Sequence, residues 1–176
     1  MSMNPINEIL FEWLINIPPW LSVIFLSTIP FGELRVSIPF GLTVYGMDPI
    51  SVYFLAIIGN LIPVFILLPY LEPVSIYLRN RFRIFDLFFT WLFDRTRVKH
   101  TEKFERYGTL ALILFVSVPL PVTGAWTACA AAFVFGIRPV HALTAITFGL
   151  LIGGLIVTIL TLMSIDFFNF IAINTI

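Results

Sequence analysis

Two apolar stretches of this chain are copies of one pattern, and both are interrupted where a membrane helix should run on. Residues Phe25 to Ile66 align without a gap on Phe115 to Ile156, at a constant offset of 90 (136 − 46, 139 − 49, 149 − 59). The paired identities are Phe25/Phe115, Ser27/Ser117, Val44/Val134, Gly46/Gly136, Pro49/Pro139, Gly59/Gly149, Leu61/Leu151, Ile62/Ile152 and Ile66/Ile156. Apolar matches recur by chance in so apolar a chain. The Gly46-x-x-Pro49 and Gly136-x-x-Pro139 coincidence therefore carries most of the weight. A repeat broken at corresponding places in both copies is the sequence mark of a transporter-type binding site.

The composition sets the solvent. With 59% hydrophobic residues, 11% charged residues and a mean hydropathy of +1.00 over 176 residues, the chain lies outside the range of soluble domains. It reads as an all-α integral membrane protein, residues 1–176 forming one membrane domain. A formal net charge of +0 gives no field to draw a polyanion, so a nucleic-acid partner is excluded. The single Cys129 excludes an internal disulfide. No Lys or Arg precedes Arg35, so the start lacks the charged region of a cleavable signal and is expected to stay in the mature chain.

The charge map orients the rest. Of the ten basic residues, eight fall between Arg79 and Arg106. By the positive-inside rule this loop, 79–106, is cytoplasmic. Aromatic and aliphatic residues from Ile84 to Phe93 are mixed with the charges, so the linker 72–107 is expected as an amphipathic helix on the inner leaflet. A plain charged linker is the alternative.

Two spans are continuous, 49–71 and 139–163, each long enough to cross roughly 30 Å of hydrocarbon. Pro49 and Pro139 suit a first helical turn, and Gly46 and Gly136 suit the left-handed end of the helix before it. Asp48 is a good N-cap, whereas Arg138 holds the same place in the second copy and caps poorly. That swap fits copies inserted in opposite senses, with both termini outside.

The segments before the spans, 20–45 and 109–135, are too short for two crossings each. Breakers cluster at each midpoint: Pro30, Gly32 and Pro39 in one, Pro119, Pro121 and Gly124 in the other. Two half-helices meeting at such a point describe a re-entrant hairpin, allowed only where protein or a wet cavity satisfies the freed backbone. The expected fold is an inverted repeat: repeat 1 over 20–71, repeat 2 over 109–163, each a re-entrant hairpin followed by a transmembrane helix. Four kinked spans with cytoplasmic termini are the alternative.

Glu33 and Arg35 are the ionisable residues deep in the first repeat. Each costs on the order of 2.5–3.5 kcal/mol at a helix centre, so both should face a cavity or a partner. On a regular helix they would diverge by roughly 200°; in a turn they could share one side. Glu33 would act as a proton carrier if burial favoured its neutral form, and Arg35 opposes that. A structural ion pair is the competing role. In the second break Thr123, Trp126, Thr127 and exposed half-helix backbone would suit an anionic group such as phosphate. Arg138 is an interfacial anchor or a phosphate contact, and Asn60 a hydrogen-bonded packing residue. Neither His100 nor His141 has a further ligand at metal spacing, so no metal and no cofactor is expected, and no hydrolase motif occurs.

The strings Ile29-Pro-Phe-Gly-Glu-Leu-Arg35, Gly59-Asn60 with Pro63, Glu105-Arg-Tyr-Gly108 and Pro119-Leu-Pro-Val-Thr-Gly-Ala-Trp-Thr127 have a further reading. Through them the chain resembles the small multi-drug export protein family, a branch of the DedA (VTT-domain) superfamily. The family's second motif usually has glycine where this chain has Val122 and Ala128. The resemblance implies paired re-entrant hairpins and, from several branches, movement of lipids or lipid-phosphate carriers between leaflets, in some members driven by protons. It carries roles over to Glu33 and Arg35. The expected function is a non-enzymatic translocase in the cell membrane, moving such a lipid through a polar cleft between the hairpin tips. Pro119, Pro121, Thr123, Gly124, Trp126 and Thr127 would form its donor surface. A small-molecule or multidrug exporter, which in so short a chain would need a homodimer to enclose bulky cargo, and a structural membrane protein are the rivals.

Overall fold

The computed structural model describes residues 17–81, 83, 102–120 and 124–174, and among them every regular element is helical. Among the described residues six helices follow one another: α1 (Pro19–Thr28), α2 (Glu33–Thr43), α3 (Pro49–Arg81), α4 (Glu102–Ser117), α5 (Ala125–Val134) and α6 (Pro139–Asn174). They form two compact units, one of Met1–Asn60 with Gly154–Ile176, the other of Leu61–Gly153. Each unit thus contains one pair of short helices and parts of both long ones.

Local chemistry sets the helix starts. Pro19 opens α1, where its missing N–H would be unbonded anyway. Ile29 turns extended before Pro30, the conformation a following proline favours, and α1 ends. Gly46 and Gly136 take φ of 59° and 65°, the left-handed conformation that lets the chain turn into the next helix. Asp48 caps α3, its Oδ2 accepting the Ser51 N–H at 3.0 Å and the Ser51 hydroxyl at 3.2 Å.

α1, α2 and α5 have 10, 11 and 10 residues, about 15 Å apiece and half a bilayer core. In the first unit α1 and α2 fold back on each other. Tyr45, just past α2, donates its hydroxyl to Ser22 Oγ near the start of α1 at 3.0 Å. A Cβ on Gly41 would meet Val23 of α1 and Val52 of α3, so the three helices meet closely there. The 19–43 segment is therefore a helical hairpin and not one kinked span. In the second unit Gly108 of α4 lies beside Ile137, just beyond α5, which folds that pair back in the same way.

The surface of α3 is inverted relative to a soluble helix. Ile50, Phe54, Ile58, Phe65 and Ile66 are exposed, while Val52, Ala56, Asn60 and Val64 are fully buried. α3 and α6 both contain apolar stretches long enough to cross a membrane, Pro49–Tyr77 and Pro139–Ala172. The helices run past the expected spans, beyond 71 and 163 to Arg81 and Asn174, because the edge of a hydrophobic run does not by itself stop a helix. The expected surface helix over 72–107 is corrected at both ends too. Residues 72–81 prolong α3 and 102–107 open α4, while 84–101 lie outside the described residues.

Candidate functional site

The break between α1 and α2 is tight, and glycine makes it so. A side chain on Gly32 would run into the carbonyl oxygen of Leu26, so only glycine lets the chain pass this close to α1. The next residue, Glu33, has a φ of 47°, the left-handed region that costs a non-glycine residue about 1–2 kcal/mol. Its N–H and that of Gly32 both bond the Ile29 carbonyl. Strain at a buried acidic residue marks a place where the surrounding structure dictates the backbone.

That backbone explains a meeting that helical spacing forbids. The Arg35 guanidinium donates to Glu33 Oε2 at 3.2 Å, although the two residues are only two apart. Glu33 enters α2 from a left-handed φ, so the regular helical spacing does not apply to it. The pair is unevenly exposed: the Glu33 side chain is 9% accessible, that of Arg35 24%. The carboxylate is thus sealed in and the guanidinium reaches outward.

Behind the break, α1 is tied to α3 by a carbonyl that has lost its donor. Gly59 O should accept from residue 63, but Pro63 has no N–H. The Thr28 hydroxyl lies within donating distance of it at 3.0 Å and shares its one proton between it and Ile24 O at 2.9 Å. Gly59 has no side chain to keep α1 away, and a Cβ there would strike Ile24 and Ser27. Next to it, Asn60 is fully buried. Its Nδ2 donates to Ala56 O at 3.1 Å, whereas Oδ1 has no hydrogen-bond partner. Ser37 Oγ, also fully buried, has none either.

The second break is differently furnished. Pro119 is half-buried, and Pro121 and Thr123 lie outside the described residues. Gly124 is extended and buried, with φ of −173°, and its N–H donates to Thr127 Oγ1 at 3.0 Å. The Thr127 hydroxyl in turn donates to Gly124 O at 3.1 Å, so Thr127, itself exposed, closes the start of α5. Trp126 is half-buried, and Arg138 is exposed at the start of α6. Between α4 and α5 lies an apolar cavity of about 390 Å³ walled by Tyr107, Ala111, Phe115, Ala131 and Phe135.

Of the residues expected to act, the structure joins Glu33 to Arg35 and Gly124 to Thr127. It adds Thr28 and Ser37, which sequence reading passed over, and shows that Gly32, expected as a breaker, is also the point of closest approach to α1. The Thr28–Pro63 link had a signal: the second copy has Val118 and Gly153 at those two positions, so hydroxyl and proline are present together or absent together.

A family model for small multi-drug export proteins matches residues 33–156. A link to the wider DedA superfamily is not shown by this match, and neither is lipid transport. No curated protein and no solved structure matches the chain.

Proposed function

The chain belongs to the small multi-drug export protein family, and on that premise we propose that it carries small molecules out across the membrane with the Glu33–Arg35 pair as its working site. The observation that carries this reading is the sealed carboxylate held in a left-handed turn inside an apolar hairpin. A buried ion pair is often no more stabilising than apolar residues of the same volume. Its presence here, on a strained backbone, favours a working role over a purely structural one.

The chemistry follows from the uneven exposure of the pair. Arg35 is the outward partner and can leave, while Glu33 stays enclosed. A carboxylate parted from its guanidinium in such surroundings favours a new positive partner, a proton or a cationic group on the cargo. Because the two compete for the same oxygens, loading one releases the other, which couples export to proton entry. The α1–α2 hairpin is re-entrant in this reading, its half-length helices bringing the pair to membrane depth. The Arg-rich 79–106 segment faces the cytoplasm by the positive-inside rule, and both termini face outside.

The test is dye efflux from proteoliposomes with an imposed proton gradient. The wild-type chain should export a cationic dye such as ethidium, and Glu33→Gln should lower the rate by about tenfold or more, the loss of roughly 1.4 kcal/mol of a desolvated charge contact. Equal rates in both, with equal folding, would remove Glu33 from the mechanism. Leaflet exchange of a labelled phospholipid without dye export would replace the small molecule by a lipid as the cargo.

A further inference from the structure

We propose that the cavity between α4 and α5 holds one acyl chain of an anionic phospholipid, whose head group is bound by Arg138. The site lies wholly in the second unit and does not depend on how the Glu33–Arg35 pair works.

The cavity sits where the second copy lacks a brace that the first one has. In the first unit the Tyr45 hydroxyl, just past α2, donates to Ser22 Oγ of α1 at 3.0 Å. Moved by the offset of 90, these positions are Phe135 (135 − 45) and Leu112 (112 − 22). Neither has a hydroxyl, so the same bond between the two arms cannot form. Both residues line the cavity of about 390 Å³ instead. Its other walls include the small side chains of Ala111 and Ala131 and the rings of Tyr107 and Phe115. Leu112 is buried, whereas Tyr107, Phe115 and Phe135 are exposed, so the cavity opens outward between the helices.

Charge is confined to one end of it. From Tyr107 to Ile137 the sequence has no charged residue, and the next residue is Arg138. A Cβ on Gly108 would meet Ile137 at 3.5 Å, so Arg138, which is exposed, lies at the Tyr107–Gly108 end. The residues of α4 before Tyr107 add no net sign, because Glu102 and Glu105 balance Lys103 and Arg106. Among the described residues Arg138 therefore makes this end positive. In the first copy its place is taken by Asp48, which caps α3.

These two features select the ligand. A cavity lined almost wholly by carbon offers a cation no counter-charge, and the nearest charge is an arginine. An acyl chain suits such walls. The volume is at the low end of the roughly 300–1,000 Å³ of ligand pockets, which admits one chain and not a whole lipid. The chain alone gives little preference, since the bilayer that it leaves is as apolar as the cavity. Selectivity has to come from the head. A guanidinium binds phosphate through paired N–H donors, and its five donors allow this beside the contacts that Arg138 keeps within the protein. One arginine at headgroup level should favour an anionic head over a zwitterionic one by about fivefold.

The test is photolabelling of the full chain in mixed vesicles of phosphatidylglycerol and phosphatidylcholine, with a trace of phosphatidylglycerol carrying a diazirine on one acyl chain. Label should concentrate on residues 107–115 and 131–137 and fall as unlabelled phosphatidylglycerol is raised. About five times as much phosphatidylcholine should be needed for the same fall. This measurement needs no variant to fold. Arg138→Gln should keep the label in place and make the two lipids compete equally. Ala131→Trp should fill the cavity and remove the label there, leaving that on the exposed faces of α3 and α6. Equal competition in the unmutated chain, label spread evenly over α3 to α6, or unaltered label in folded Ala131→Trp would each overturn the proposal. So would displacement of the label by ethidium, which would make the cavity a cargo subsite, or cross-links between two copies through this face. None of these readouts uses export, so dye efflux that survives Glu33→Gln would sink the transport reading and leave this one intact.

Discussion

The two hairpins share a frame and differ in what is installed on it. In both, a glycine with positive φ precedes a proline that opens the long helix. In both, a serine at the end of the first arm bonds the carbonyl four residues back at 2.7 Å: Ser27 to Val23 and Ser117 to Ile113. In both, a glycine on the long helix, Gly59 or Gly149, lets that arm pack against it with no side chain between. The polar content is one-sided. Glu33, Arg35, Thr28 and Asn60 face Thr123, Ala125, Val118 and Leu150 across the offset of 90 (123 − 33). A repeat supplies a scaffold twice, and one copy suffices to hold charge. The first break is where the backbone is strained and the polar groups are sealed; the second start is closed by Thr127.

The strongest attack on this contrast is Gly32→Ala. The new methyl would meet the Leu26 backbone carbonyl, which cannot rotate aside as a side chain would. A loss of about 3 kcal/mol or more is expected, in the range that follows forced backbone movement. Thermal unfolding in detergent or nanodiscs reads it. Gly46→Ala is the control, since its Cβ would meet nothing within 4 Å and only the positive φ is lost, at about 1–2 kcal/mol. Equal tolerance at 32 and 46 would mean that the first break is loose and that its packing does not force Glu33's conformation.

A smaller effect tests the tie between α1 and α3. Thr28→Val keeps shape and removes the hydroxyl, which leaves the Gly59 carbonyl without a donor and should cost about 1–3 kcal/mol. In a Pro63→Ala background the residue-63 N–H returns to that carbonyl, and the same Thr28→Val change should cost well under 1 kcal/mol. The difference is the coupling energy of a double-mutant cycle. It also accounts for the second copy, where Gly153 retains its N–H and Val118 needs no hydroxyl. Additive costs would leave the pairing of Thr28 with Pro63 a coincidence.

Much of this frame was legible in the chain, because breakers act locally. Gly46, Pro49, Gly136 and Pro139 end and start helices through their own backbone preferences, and the structure puts those boundaries where the sequence does. Asp48 caps for the same reason. That the long helices run on past 71 and 163 was not legible, since hydropathy records a solvent and not a hydrogen-bond ladder. At the site, Glu33 and Arg35 stood out as charges among apolar residues. That they touch was not decidable from spacing, because Glu33 leaves a turn with a left-handed φ and does not follow helical periodicity. Asn60 read as a packing residue. Its unpartnered oxygen appears only when α1, α2 and α3 are assembled around it.

The smallest expected effect concerns the starts of the long helices. Asp48 and Arg138 occupy the same place in the two copies, yet only Asp48 gives an acceptor to its helix, bonding the Ser51 N–H and hydroxyl. Asp48→Ala should therefore cost about 1 kcal/mol, the usual loss of a capping side chain. Arg138→Ala removes no acceptor from α6, and both side chains are exposed, so its cost should stay within about 0.5 kcal/mol. The comparison is a fair one because Pro49 and Pro139 begin their helices identically, which leaves the capping residue as the variable. Urea or thermal unfolding of the two variants side by side gives the answer. A cost at Arg138 that matches or exceeds the one at Asp48 would show that the arginine holds α6 by its charge or its stem. In that case the second copy would carry a polar anchor of its own at the helix start, and the division into a charged half and an apolar half would have to be redrawn around it.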